Sequence, residues 1–239
     1  MVPRDFQALS ARRAARADAV AVHRVEVVYA AVVRLQGRIA SFLQPGDAAG
    51  VLLAARPWLV ELVLETGPDL LREAAPGFDE AACRRALDCL PDAPAPHTFF
   101  AWALLQPWAA IAHPALGQPH LNRCPRCGQP PQVGCRRPVA EGTALSLVCS
   151  LCLAEWSFPR STCPACSNTD ARRISYYSTP EFDHIQVQAC ESCGRYFHAI
   201  NLAKDPQAVP DADEIAALPL DVWAREQGLE KIHPNLVGI

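Results

Sequence analysis

The sequence predicts an α+β chain, in which a helical amino-terminal domain is followed by two small β ribbons in tandem and a short closing helix. Three observations carry that reading. Apolar residues recur at three- and four-residue spacing before Pro114 and shorten to strand-like runs after it. Four Cys-x-x-Cys pairs then fall within about seventy residues.

The helical part comes first. From about Ala8 to Leu43, the residues Val20, Val25, Val28, Val32, Leu35, Ile39 and Phe42 mark one apolar stripe. This predicts one long helix or two collinear ones, ended by Pro45-Gly46-Asp47. Val51–Glu65 reads as the next helix, with Pro57 forcing a start or a kink, and Thr66-Gly67-Pro68 breaks it. Asp79 is an N-cap for a helix to Leu90, with Phe78 as a hydrophobic staple. Pro91, Pro94 and Pro96 stiffen a connector before an aromatic helix over Thr98–Ala112, whose Phe99, Phe100, Trp102 and Trp108 read as core. Cys83 and Cys89, six apart, do not share a helical face and read as buried apolar residues.

The predicted organisation is a helical domain over 1–113, a linker over 114–122, a first ribbon over 123–160, a second over 161–202 and a helical tail over 203–239. Strand-like runs are Ala144–Val148, Arg173–Tyr177 and His184–Ala189. In the tail, Asp211 or Asp213 can cap a helix through Leu218, Pro219 restarts it towards Gln227, and Gly228 stops it.

The cysteines carry the chemistry. The pairs are Cys124-Pro-Arg-Cys127, Cys149-Ser-Leu-Cys152, Cys163-Pro-Ala-Cys166 and Cys190-Glu-Ser-Cys193. Two thiolates three residues apart can face one ion when the backbone between them turns tightly. Pro125 and Pro164 pre-set that turn, and Gly128 and Gly194 supply a left-handed residue after the second sulfur. Two such knuckles complete a tetrahedral four-sulfur site. The layout Cys-Pro-x-Cys, 21 or 23 residues, Cys-x-x-Cys occurs twice with a period near forty, which favours sequential pairing. That places Cys124, Cys127, Cys149 and Cys152 in one site and Cys163, Cys166, Cys190 and Cys193 in the other. A nested pairing of the two central knuckles, or an interleaved one, stays open. Cys135 is a spare without a ligand role. Zinc and mononuclear iron both accept such a donor set. A ribbon of forty residues cannot bury enough apolar surface alone, so metal here substitutes for a core.

Composition narrows the function classes. The 22 basic residues, 20 of them Arg with only Lys204 and Lys231 as Lys, are outnumbered by 25 acidic ones. Between residues 120 and 200, eight Arg face six acidic residues, a slight excess for nucleic-acid binding. Arg136-Arg137 and Arg172-Arg173 read as solvated hairpin ends. Met1 to Val22 carries Arg12-Arg13 but no apolar core to follow it, so these read as an exposed helix face and not as an export signal. No apolar run is long enough to span a bilayer, and a cytoplasmic location is expected, where reduced thiols bind metal before they form disulfides. No P-loop, dinucleotide fingerprint, nucleophile elbow or zinc-protease motif occurs, so no enzyme activity is expected. The seven His are scattered and read as surface or packing residues.

From Asn122 onward the sequence resembles the accessory proteins of respiratory formate dehydrogenases, the FdhE family. The resemblance rests on Cys124-Pro-Arg-Cys127-Gly128, Cys149-Ser-Leu-Cys152 followed by Leu-Ala-Glu155-Trp156, Arg160 before Cys163, Cys190-x-x-Cys193-x-x-Tyr196, the segment 211–221 and Pro234-Asn235. Ser157 and His198 stand where the family commonly has His and Lys. The resemblance implies a cytoplasmic maturation factor with a tandem rubredoxin-like module binding two ions, iron by family and zinc as the alternative, through the eight knuckle cysteines. It also implies a partner, the catalytic subunit of a molybdenum- or tungsten-dependent formate dehydrogenase. The competing readings are a zinc-ribbon protein of nucleic acid or the transcription machinery, and a rubredoxin-like electron carrier. Glu155-Trp156 is expected to pack the two ribbons together.

Overall fold

The computed structural model describes residues 5–21, 23–43, 48–88, 97–111 and 122–236. The expected break at Pro45-Gly46-Asp47, the Pro91–Pro96 connector, Cys89, Leu90 and nearly all of the linker lie outside those residues. The chain divides into two compact units, one formed by the residues up to 113 and the other by the residues from 114 to 235.

The first unit is helical. Its elements are α1 (Phe6–Val20), α2 (Arg24–Phe42), α3 (Ala48–Thr66), α4 (Asp69–Ala74), α5 (Glu80–Asp88) and α6 (His97–Ile111). The single stripe expected over Ala8–Leu43 belongs to two helices, neither continuous nor collinear. Asp5 caps α1 by accepting from the N–H groups of Gln7 and Ala8, and Glu26 starts α2 by accepting from the His23 N–H at 2.9 Å. The chain reverses between them, as the Arg34–Asp18 ion pair and the Arg13–Gln36 hydrogen bond require. No Gly or Pro announces this reversal. It is driven by burial of Val28, Val32 and Ile39, which one extended helix would leave in water.

Arg13 corrects a second expectation, for it is fully buried and not on an exposed face. Its guanidinium donates to the Tyr29 hydroxyl at 3.1 Å, to Gln36 Oε1 at 3.0 Å and to Gln106 Oε1 at 3.3 Å, tying α1 to α2 and α6. Each buried donor thereby has an acceptor, which burial of a guanidinium demands. The aromatic helix is core as expected, with Phe99, Phe100 and Trp102 buried and Phe100 stacked on Phe78 at 4.8 Å. Asp79 Oδ1 accepts from the Ala82 N–H at 2.7 Å and caps α5.

The second unit is built on a sheet of seven strands among the described residues. These are β1 (Pro131–Pro138), β2 (Thr143–Cys149), β3 (Glu155–Ser157), β4 (Ile174–Tyr177), β5 (Ile185–Cys190), β6 (Arg195–Asn201) and β7 (Glu230–Lys231). They lie in the order β3-β2-β1-β6-β5-β4, with β7 beside β6. Each expected ribbon is present as an antiparallel group, β1-β2-β3 and β4-β5-β6. The two are continuous through a parallel seam that pairs Gly134 with Ala199, Cys135 with Ile200 and Arg136 with Asn201.

Leu145, Leu147 and Phe158 from the first ribbon pack with Phe197 and Ala199 from the second, and Trp156 lies against this cluster as expected. Glu155 does otherwise, accepting from Arg137 Nε at 2.8 Å and Nη2 at 2.7 Å within its own ribbon. Arg136 is also not a solvated hairpin end. It is buried on β1, with its guanidinium 5.4 Å from the Tyr176 ring centroid.

The seam depends on the lack of a side chain at Gly134. A Cβ there would lie 2.7 Å from Phe197 Cε2 and 3.1 Å from Leu145 Cδ1, both buried and without room to swing away. Gly134→Ala is therefore expected to destabilise this unit by about 1–3 kcal/mol, read as a lower urea midpoint with an unchanged slope. An unchanged midpoint would show that the seam yields.

Two helices, α7 (Pro210–Ala216) and α8 (Leu218–Glu226), close the unit. Val209, not Asp211 or Asp213, is the N-cap of α7. Asp213 reaches back instead, and its Oδ2 accepts from the Val209 N–H at 2.7 Å. Gly228, with φ of 75°, ends α8 as expected.

Candidate metal centres

Strands deliver the sulfurs. β2 ends on Cys149 and β5 ends on Cys190, so each hairpin carries its second knuckle back to its first. The structure brings Cys124, Cys127, Cys149 and Cys152 together, and likewise Cys163, Cys166, Cys190 and Cys193, with the four sulfurs of each set within 4.8 Å of one another. The nested and interleaved pairings do not occur.

The four knuckles share one local conformation. After the second cysteine of each comes a left-handed residue, with φ of 73° at Gly128, 53° at Leu153, 63° at Ser167 and 70° at Gly194. In three of them this residue's N–H donates to the carbonyl of the first cysteine, from Gly128 to Cys124, Ser167 to Cys163 and Gly194 to Cys190. Further amide N–H groups point at sulfur, from Arg126 to Cys124 Sγ at 3.4 Å, Ala165 to Cys163 Sγ at 3.4 Å and Cys152 to Cys149 Sγ at 3.5 Å. Such donors stabilise thiolate over thiol. Leu153 and Ser167 escape a search for Gly, but aligning the four knuckles on their second cysteine finds them.

Both sets fit a metal ion. Bonds of about 2.3 Å from a central ion put tetrahedral sulfurs about 3.8 Å apart. In the second set Cys163 lies 3.8 Å from Cys193, and Cys166 lies 3.8 Å from Cys190. The first set is tighter, with Cys124 at 3.5 Å from Cys152 and Cys127 at 3.2 Å from Cys149. The electrostatics agree. Hydrogen bonds from Cys127, Cys149 and Cys152 push the Cys124 thiol down, whereas burial pushes Cys149 up. Four sulfurs this close cannot all ionise by themselves, and a divalent cation is what lets them do so. Cys135 stays apart, buried on β1 with its thiol pushed up to about 11 by that burial.

A profile of the FdhE C-terminal domain matches residues 162–237, which hold the whole second cysteine set and both closing helices. An FdhE homolog of Aquifex aeolicus is 39% identical over 118 residues, 49% of this chain and 42% of that protein. An FdhE homolog of Pseudomonas putida is 30% identical over 225 residues, covering 81% of this chain and 69% of its own length. The chain belongs to the FdhE family. It spans between about two fifths and two thirds of the length of these curated relatives. The crystal structure of the FdhE protein from Pseudomonas aeruginosa shares the fold, with a TM-score of 0.69 at 24% identity over 97% of this chain and 96% of that one.

A second polar cluster in this FdhE unit was not foreseen. His198 on β6, Glu214 on α7, Asp221 on α8 and Lys231 on β7 are all buried. Lys231 Nζ pairs with Glu214 Oε1 and lies 3.0 Å from Asp221 Oδ1, while the Tyr196 hydroxyl donates to Asp221 at 2.7 Å. His198 sits 3.5 Å from Asp221 and 3.9 Å from Glu214, and burial holds its ring down at about 3, so it is neutral. His184, half-buried, meets Asp213 at 3.0 Å. His198 is thus packing, as expected of the histidines, but packing within a charged core. Lys231 already occupies the space between the two carboxylates, so this cluster is an ion-pair network and not a third metal centre.

Proposed function

We propose that this chain is a non-catalytic, metal-binding accessory protein for a formate dehydrogenase, acting on the enzyme's molybdenum- or tungsten-dependent catalytic subunit in the cytoplasm. The observation that carries the reading is the pair of four-sulfur clusters fused through one sheet in a chain of the FdhE family. In this reading Cys124, Cys127, Cys149 and Cys152 hold one ion and Cys163, Cys166, Cys190 and Cys193 hold the other, in modules over 123–160 and 161–202. The bound ion supplies a closed, fully thiolate-coordinated centre, suited to structure or one-electron chemistry and not to Lewis-acid catalysis. The protein's own part is to hold eight sulfurs in place and to favour the thiolate form at Cys124, Cys149 and Cys163 with amide N–H donors.

Among the described residues no helix is long and apolar enough to cross a membrane. The alternative of a nucleic-acid ribbon is disfavoured by where its arginines are. Arg136 is buried, Arg137 is engaged by Glu155, and Arg172 is paired with Asp170 at 3.0 Å.

An anaerobic pull-down of the tagged chain from its native host tests the proposal, with metal measured on the same sample. Recovery of a formate dehydrogenase catalytic subunit, with about two ions per chain, is the expected result. Recovery of nucleic acid or polymerase subunits with zinc would overturn the accessory reading.

A further inference from the structure

The two cysteine sets differ in their access to solvent. In the first, Cys124, Cys149 and Cys152 are 2%, 0% and 1% exposed, Cys127 is half-buried, and the turn residues Ser150, Leu151 and Leu153 are buried. In the second, Cys163 and Cys190 are buried but Cys166 and Cys193 are exposed, and so are the turn residues Ala165, Glu191 and Ser192. The sequence shows the cause. Cys149-Ser-Leu-Cys152-Leu-Ala places apolar residues around its knuckle, where Cys190-Glu-Ser-Cys193-Gly-Arg places polar ones. A cleft of about 650 Å³ also opens on the Cys163 knuckle, lined by Pro164, Ala165 and Ser167 and flanked by Arg123 and Arg195.

We infer that the second set is the exchangeable centre and the first a permanent clamp. This rests on the reading that both sets hold metal. At the second set an incoming anionic ligand, a thiolate or a carboxylate chelator, bonds to the ion from the solvent side as the bond to Cys166 Sγ breaks. The freed thiolate takes a proton from solvent, and the ion keeps its oxidation state. Arg123 favours approach of such anions along the cleft, while Arg195 beside it is paired with Glu230 at 3.1 Å. At the first set the same attack must wait for a local opening of the buried Cys149 knuckle, which costs the burial of its neighbours. The centre a partner can reach, to take the ion or deliver one, is therefore the second.

The test uses the whole chain loaded with zinc and challenged with an excess of a chromogenic chelator, with samples alkylated at intervals for mass spectrometry. Zinc is expected to leave in two phases of equal amplitude whose rates differ by at least about tenfold. Cys163, Cys166, Cys190 and Cys193 are expected to be alkylated in the fast phase and Cys124, Cys127, Cys149 and Cys152 in the slow one. Cys83, buried on α5 in the helical unit, serves as the unlabelled reference. No variant is needed, so a folding defect cannot obscure the outcome. A single phase, or first labelling of the Cys124 set, overturns the inference and leaves metal binding intact. A chain that loads fewer than two ions overturns the metal reading itself, and the inference with it.

Discussion

Stripping both ions from the chain is expected to unravel the sheet of the second unit while leaving the helices of the first folded. A structural thiolate-bound zinc contributes about 10–16 kcal/mol in isolated finger peptides. Domains are stable by only about 5–15 kcal/mol. The sheet here has a small core of its own in Leu145, Leu147, Phe158, Phe197 and Ala199, which offsets part of the loss. The ends of β2 and β5 have less, because β2 ends on Cys149 and β5 on Cys190, which packs in a small cluster with Ile174 and Cys163. Amide exchange before and after chelation measures the effect. Protection over 131–149 and 174–201 should fall by several orders of magnitude, and protection in α2 and α6 should not change. Persistent protection throughout the sheet after complete metal removal would mean the ions are passengers.

Replacing Lys231 by Met is expected to cost about 3–5 kcal/mol, because two buried carboxylates, Glu214 and Asp221, lose their common cation. The pH profile identifies the cause. Burial raises Glu214 from its ordinary 4.5 to about 7, against the pull of Lys231. A raised value gives stability that is full below pH 4.5 and is lost as pH rises through about 7. Burial, with Lys231 adding to it, lowers His198 from 6.5 to about 3, which gives stability present above pH 6.5 and lost as pH falls through about 3. In the parent chain these contributions oppose one another between pH 4.5 and 6.5. Without Lys231 both groups bind protons more readily, so the variant should recover part of its deficit between pH 7 and 5. Urea midpoints at pH 5, 6 and 7 read this directly. A deficit constant with pH would point to lost packing of the lysine stem instead.

The two four-cysteine clusters were legible because their determinants are local. Cys-x-x-Cys spacing, Pro inside the turn and a repeat near forty residues all lie within short stretches of chain. So were the helices of the first unit other than the short α4, since their periodicity is a property of one segment at a time. The reversal between α1 and α2 was not, since Val20–Arg24 contains no breaking residue and only tertiary burial selects the turn. The strand β1 was hidden for a different reason. Its sequence, Pro-Gln-Val-Gly-Cys-Arg-Arg-Pro, has Val133 as its one strong strand former between Pro, Gly and Arg residues, and it is a strand because β2 and β6 flank it on both sides. The buried ion network left one trace. In a chain with 20 Arg, a lysine at 231 marks a place where a compact ammonium fits between two carboxylates and a planar guanidinium would not.

The parallel seam has a consequence for how the chain emerges from the ribosome. Gly134 meets Ala199, and the first ribbon, complete at Ser157, precedes that partner by about forty residues. At about 5–20 residues per second the free edge of β1 waits roughly 2–8 seconds for β6. Throughout that interval its backbone donors and acceptors are open to any other strand in reach. Arg136, whose neighbours Tyr176 and Gln188 belong to the second ribbon, is until then a free charge on that edge strand, and such a charge disfavours pairing between nascent chains.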